Sequence, residues 1–358
     1  MSFSWRGKRC LVIGGAGNLG GCIVRMLLDE GAAVKCFDLA AYCGHREQDV
    51  HSVQGSVTDR GALDGAMAGM EVVFHTASII DLRPRPSLRM QSVNVGGTFE
   101  VVQAAKLQGV HTLVYTASLE VVSGMDERGV EEPLRGVDEG APIPVQHRLP
   151  YAATKAAAER LVLAAHGPGL RTCSIRPGYI MGAGCIGQRL ELDRTAQRGG
   201  YYVTAKVPAR LSTVAAKNCA LAHLRAAERA GRADVGGHAF FVRDFEANVI
   251  EMNLQCFRSL PIKTVLLPLH VAYAIACVLH ALELLIMALC SLLGRTRQTP
   301  EDVLDYKAAG MAWIDIVVSD RRARDVLGYA PLVSQAECLE EASEWCRSYY
   351  AKLQAKGS

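Results

Sequence analysis

From Arg9 to about Cys185 the chain alternates short apolar runs with longer amphipathic stretches. The runs CLVIG, AAVKCFD, EVVFHTAS, TLVYTAS and RTCSIRP are too short for helices and read as strands. Between them, residues 18–29, 88–108 and 151–165 have helical length and pattern. Strands that alternate with helices predict a parallel sheet covered on both faces.

After Cys185 the alternation breaks down. The pattern there predicts a helix over 214–230, a strand over 238–242, a long apolar helix and a terminal helix. Ser334 and Glu337 sit three apart just after Pro331, the spacing of a capping box at the start of that last helix. The stretch 123–150, rich in Gly, Pro and charge, reads as a rim loop beside a site. The expected organisation is a nucleotide-binding unit over 1–185 and a smaller C-terminal substrate lobe over 186–358.

Half of the 358 residues are hydrophobic, enough to bury a large core. A formal charge of +3 with dispersed basic residues argues against a nucleic-acid partner. The twelve cysteines form no CxxC pair and no paired His spacing, so they read as reduced, buried small hydrophobes and no metal site is expected. The start, MSFSWRGKRCLVIGG, has three strongly apolar residues before its glycines, far short of a signal peptide, which places the catalytic part toward the cytosol.

In LVIGGAGNLGG, Gly14, Gly17 and Gly20 follow a strand and open a helix. Such glycines let the backbone turn sharply and approach a pyrophosphate, which meets the free N–H groups at the helix start, Asn18 and Leu19 among them. Asp38 closes the second strand eighteen residues after Gly20, where a carboxylate accepts both adenosine ribose hydroxyls. Leu39 and Ala40 follow it, with no adjacent Arg for a 2′-phosphate, so the pattern favours NAD over NADP.

PYAATK places Tyr151 and Lys155 four apart on one face of an Ala-rich helix. A neighbouring ammonium favours the phenolate, so Tyr151 can exchange an alcohol proton while hydride moves to or from nicotinamide. Ser118, just past the strand TLVYT, is the candidate hydroxyl that positions the substrate oxygen, and Thr116 is its competitor.

Taken together, GGAGNLG, Asp38, GSVTD, VVFHTAS, NVGGT, YTASLEVV, YAATK, RPGYIMG, NCALAH and LGYAPLVS resemble the extended short-chain dehydrogenases/reductases, and among them the 3β-hydroxysteroid dehydrogenase group. The resemblance covers nearly the whole chain. It implies a Rossmann-type doubly wound parallel sheet, with Gly14, Gly17, Asn18, Leu19, Gly20 and Asp38 holding NAD and Ser118, Tyr151 and Lys155 as the catalytic set. It further implies that Lys155 holds the nicotinamide ribose and that Pro177 and Ile180 flank the nicotinamide. For Asn94 two roles stand, support of the site and helix packing. The chain departs from the group's pattern at Ile13, Ser56, Ala117 and Met181, none of them in the catalytic set.

Residues 264–282 contain no Asp, Glu, Lys or Arg, nineteen in all, near the roughly twenty a spanning helix needs. Buried core, membrane segment and pocket wall all fit that length. On a helix, His270, Tyr273, Cys277, His280 and Ser291 form one weakly polar stripe, with Glu283 at its edge. The resembled steroid enzymes carry a comparable segment and associate with membranes. The expectation is therefore a membrane-associating helix over 264–293, lipid and a steroid or sterol as partners, a homodimer as a further association, and an endoplasmic-reticulum location in a eukaryote.

The activity expected is NAD-dependent oxidation of a 3β-hydroxyl to the ketone, with Δ5-to-Δ4 isomerisation as an added step. Asp244 and Glu246 are the acids considered for that step. The alternatives are a decarboxylating sterol 4α-carboxylate 3-dehydrogenase and, in another class, a non-catalytic NAD-binding membrane protein.

Overall fold

The computed structural model describes residues 3–82, 86–125, 132–292 and 314–357. The first half runs β1 (Arg9–Ile13), α1 (Asn18–Asp29), β2 (Ala33–Asp38), β3 (Val50–Gln54), α2 (Arg60–Met67) and β4 (Val72–His75). Then follow α3 (Leu88–Gln91), α4 (Thr98–Leu107), β5 (Thr112–Thr116), β6 (Leu134–Val137), α5 (Pro150–Ala164), β7 (Arg171–Pro177) and β8 (Tyr179–Met181). The second half runs α6 (Ile186–Gln197), β9 (Tyr201–Ala205), β10 (Leu211–Ala215), α7 (Ala216–Arg229), β11 (Ala239–Val242) and β12 (Phe245–Ala247). It closes with α8 (Val249–Phe257), β13 (Lys263–Leu267), α9 (Leu269–Leu292), β14 (Ile316–Val318), a short helix (Arg321–Leu327) and a terminal helix (Gln335–Gly357).

Seven strands form the main sheet in the order β11-β7-β5-β4-β1-β2-β3, all of them parallel. The chain starts in the middle at β1, moves outward through β2 and β3, and then crosses back to β4. That reversal leaves a crevice at the carboxyl ends of β1 and β4, where ligands of doubly wound sheets bind. One face is covered by α1 and α7, whose Ile23, Leu27, Ala222 and Ala226 share a core with Val12 and Phe74. The other is covered by α2, α4 and α5, through Leu63, Val101, Ala105 and Val162 against Leu11 and Leu113.

The boundary expected at residue 185 does not separate the layers. Helix α7 and strand β11 come from beyond it, yet α7 packs on α1 and β11 is the sheet's outer strand beside β7. A smaller core, with Leu192, Tyr202, Met252, Phe257 and Leu339, joins α6, α8 and the terminal helix. The predicted capping box is present: Ser334 N–H donates to Glu337 Oε2 at 2.7 Å, and Glu337 N–H donates to Ser334 Oγ at 3.3 Å.

Two predicted helices differ in detail. The 88–108 stretch contains a wide π turn over Ser92–Gly97 between α3 and α4, a distortion that recurs at functional sites. The start of the 214–230 stretch lies in β10, because Val214 and Ala215 pair with Ile180 and Met181. The expected rim loop contributes β6, which pairs with β14, and its residues 126–131 lie outside the described residues.

Candidate active site

The glycine turn lies over the crevice. Gly14 has φ +84°, and a Cβ there would meet Ala77 N at 2.7 Å, so the end of β4 closes on the turn. A Cβ on Gly20 would lie 2.0 Å from the Gly14 carbonyl oxygen, which is why only glycine lets α1 start against this loop. Gly17 precedes α1 in extended conformation, and no side chain caps the helix, so the N–H groups of Asn18 and Leu19 open it uncapped. Among the described residues, Asn18 Oδ1 is buried there without a hydrogen-bond partner, as an acceptor left for a ligand would be. Asp38 Oδ2 accepts from Ala16 N–H at 3.1 Å and Oδ1 from Ala40 N–H at 3.2 Å, which holds the carboxylate at the lip of the turn. Close-packed glycines, an open helix start and a fixed acid fit a dinucleotide.

The expected catalytic residues gather at the carboxyl ends of β4 and β5. Pro150 starts α5 at a position where its missing N–H costs nothing, and Leu149 before it is extended. Tyr151 is buried at the first turn, with the hydroxyls of Ser118 and Ser78 near enough to its phenol to favour the ionised form. Burial, followed by the Glu120 carboxylate, pushes that phenol well up, whereas the two serine hydroxyls pull it down.

Lys155 sits one turn on, fully buried. Its Nζ donates to the Thr116 carbonyl at 2.5 Å and lies 4.5 Å from the centre of the Tyr115 ring. Burial pushes Lys155 down to about 7, against an upward pull from Glu159. Besides burial, Glu120, Ser118 and Ser78 act on Tyr151, while the Lys155 ammonium group is held one turn along at the Thr116 carbonyl.

Thr116 is the last residue of β5, whereas Ser118 lies beyond it at the start of a short helical turn over Leu119–Val122, so the two hydroxyls part. The Thr116 hydroxyl lies 2.7 Å from His223 Nε2, on the α7 side of the sheet, so Ser118 alone of the two meets Tyr151. His223 Nδ1 lies 2.8 Å from the Cys219 carbonyl, which can only accept, so the proton is assigned to Nδ1 and Nε2 accepts from Thr116. Burial pushes His223 down to about 4, in keeping with a neutral ring.

Asn94 supports the site by packing. Lying in the π turn, its amide exchanges two hydrogen bonds with the Ile79 backbone, at 2.8 and 3.0 Å. It also donates to Thr154 Oγ1 at 3.0 Å, between Tyr151 and Lys155. One side chain thus ties the Ser78 loop to α5. Ser78 and Glu120 were not singled out in the sequence; their signal was proximity to the strand ends that carry His75 and Ser118.

Pro177 ends β7 opposite Val242, and Ile180 lies in β8 paired with Val214 and packed on the α1 and α7 core. Asp244 and Glu246 are committed elsewhere. Asp244 accepts from the Tyr329 hydroxyl, from Asn218 Nδ2 at 2.7 Å and from Ala215 N–H at 2.8 Å, a knot that anchors the terminal segment. Glu246 pairs with Arg243 at 2.7 Å.

Over Leu269–Cys290, α9 is long and apolar enough to cross a membrane. Ala272 and Ala276 are buried, while Ile275, Val278, Leu282, Leu285 and Leu289 are exposed. Of the expected polar stripe, Tyr273 is exposed and Cys277 half-buried. The side chains of His280, Glu283 and Ser291 lie outside the described residues.

Residues 11–265 match the model of the 3-beta hydroxysteroid dehydrogenase/isomerase family. A 3 beta-hydroxysteroid dehydrogenase/Delta 5-->4-isomerase of Mycobacterium tuberculosis is 32% identical over 96% of this chain and 91% of that protein. The human 3 beta-hydroxysteroid dehydrogenase type 7 is 32% identical over 94% of this chain and 95% of that protein. In fold, the chain is similar to the dTDP-glucose 4,6-dehydratase DesIV of Streptomyces venezuelae, solved with NAD bound. The TM-score is 0.69 at 19% identity, over 95% of this chain and 97% of that one.

Proposed function

Because the chain belongs to the 3-beta hydroxysteroid dehydrogenase/isomerase family, we propose that it oxidises the 3β-hydroxyl of a steroid or sterol to the 3-ketone with NAD. The observation that carries this reading is the buried phenol of Tyr151 beside the Ser118 hydroxyl, at the strand ends that also carry the glycine turn. Bound NAD supplies the hydride acceptor. Gly14, Gly17 and Gly20 leave room for its pyrophosphate, the N–H groups of Asn18 and Leu19 meet the negative charge, and Asp38 receives the adenosine ribose.

In this reading Ser118 holds the substrate oxygen against Tyr151, which takes the hydroxyl proton as the C3 hydride departs. Ser78 gives the phenol oxygen a second hydroxyl partner, which favours the ionised form that must accept the proton. Lys155 supplies positive charge one turn along and is the group for the nicotinamide ribose. Pro177 and Ile180 flank the nicotinamide position.

Isomerisation through Asp244 or Glu246 is not part of the reading, since both carboxylates have structural partners. The exposed apolar face of α9 supports attachment to lipid, where steroid and sterol substrates partition, with the nucleotide-binding unit in the cytosol and, in a eukaryote, at the endoplasmic reticulum.

Membranes holding the full chain, incubated with NAD and a panel of 3β-hydroxysteroids and 4-carboxysterols, test this by product mass. A 3-ketone with stoichiometric NADH is expected. Loss of carbon dioxide from a 4-carboxysterol would assign the decarboxylating reaction. Measurable NAD binding with no NADH from any member would replace the reading with a non-catalytic one.

A further inference from the structure

Ser118 and Tyr151 come from two segments, one leaving β5 and one entering α5. These are joined along their backbones: Met125 N–H donates to the Gln146 carbonyl at 3.2 Å, Arg148 N–H to the Ser123 carbonyl at 3.4 Å, and Gly124 and His147 form a β-bridge. At the centre of this seam Arg148 Nη2 donates to Glu120 Oε1 at 3.1 Å and Oε2 at 3.4 Å. The two side chains are 5% and 16% exposed. Glu120 N–H in turn donates to Ser118 Oγ at 3.2 Å. The pair thus links the residue two after Ser118 to the residue three before Tyr151.

Burying two charges is costly, and an apolar pair of similar volume often holds a fold as well. Here the charges stand beside the reacting phenol. We propose that the Glu120–Arg148 ion pair is a positioning device of this active site, fixing Ser118 and Tyr151 relative to each other and setting the net charge that Tyr151 faces. This rests on the reading of Tyr151 as proton acceptor.

After burial, Glu120 is the group that most opposes ionisation of Tyr151. Arg148 offsets that negative charge at close range. Among the described residues, Tyr115 on β5, whose phenol Tyr151 pushes up, and Lys155 on α5, held at Thr116, are also near. His147 lies next in the seam and faces Ser123 and Arg160. Met90 and Leu149 pack against Tyr151 with apolar contact.

Glu120→Gln keeps an acceptor for Arg148 and removes the negative charge, whereas Arg148→Gln leaves that charge uncompensated. The full chain, loaded with NAD and labelled with ¹³C at the tyrosine Cζ, reports Tyr151 through the signal lost in Tyr151→Phe. Relative to the wild type, Tyr151 should titrate lower in Glu120→Gln and higher in Arg148→Gln, each by about half to one pH unit. Arg148→Lys should restore most of the difference. The acid limb of kcat/KM for NADH formation should move in the same directions. An unmoved Tyr151 titration in Glu120→Gln, alongside lower activity or Tm, would reduce the pair to a structural tie, and that outcome decides even if Arg148→Gln fails to fold. A wild type that forms no NADH from any steroid would overturn the functional reading, yet the tyrosine titration would still decide this one.

Discussion

Lys155 Nζ donates a 2.5 Å hydrogen bond to the backbone carbonyl of Thr116, while the hydroxyl of the same threonine is held by His223. The buried lysine of α5 is thereby fixed to the end of β5, and the end of β5 is fixed to α7. A helix from the second half of the chain supports the reacting end of the first.

The lysine makes stability depend on pH. Burial brings Lys155 down to about 7, from about 10.4 in an unfolded chain. Between these values the unfolded chain binds the proton and the folded chain does not, so stability rises with pH across that window and is level on either side. Lys155→Met should remove the rise. Urea midpoints near pH 6.5 and pH 9.5 check it: the wild type should gain on the variant at the higher pH. The same variant should lose about 100-fold in turnover.

Ser118 and Ser78 both favour ionisation of Tyr151. Removing either hydroxyl should move the acid limb of the pH profile upward, because more base is then needed to form the phenolate. Ser78→Ala should do this with a loss of about tenfold or less in kcat. Ser118→Ala should lose about 100-fold or more, since it also positions the substrate oxygen. Rates of NADH formation across pH separate the two.

Cofactor choice should follow Asp38. Its carboxylate is held by the Ala16 and Ala40 N–H groups, where it would meet a 2′-phosphate with like charge. Asp38→Ser combined with Leu39→Arg should lower kcat/KM with NAD and raise it with NADP, reversing the ratio. Gly20→Ala should weaken both alike, as its Cβ would lie 2.0 Å from the Gly14 carbonyl oxygen.

The exposed residues of α9 should carry the attachment to lipid. Leu279→Asp with Leu285→Asp places two charges on that face, each costing about 2.5–3.5 kcal/mol at a helix centre in a bilayer. Vesicle flotation should find the wild type with the lipid and the double variant in the soluble fraction.

Much of the nucleotide end was legible because its physics is local. Gly14, Gly20 and Asp38 act within one strand-turn-helix unit and the next strand, so their spacing records the geometry. The strand and helix of Ser118, Tyr151 and Lys155 were legible for the same reason, and so was the meeting of Ser118 with Tyr151. Spacing along α5 did not show that the lysine is held at the Thr116 carbonyl or that Ser78, from the loop after β4, faces the phenol. The partners of Asn94 and His223 were hidden, since they lie 15 and 107 residues away in sequence. The division at residue 185 missed α7 and β11 because apolar pattern marks elements without saying which sheet they join.

The most direct measurement is NADH formation by the full chain in membranes with a 3β-hydroxysteroid it accepts, compared with Tyr151→Phe. The account predicts a loss of about 100- to 10,000-fold in kcat with NAD affinity kept, since the phenol is the proton acceptor. Full activity in Tyr151→Phe would contradict it.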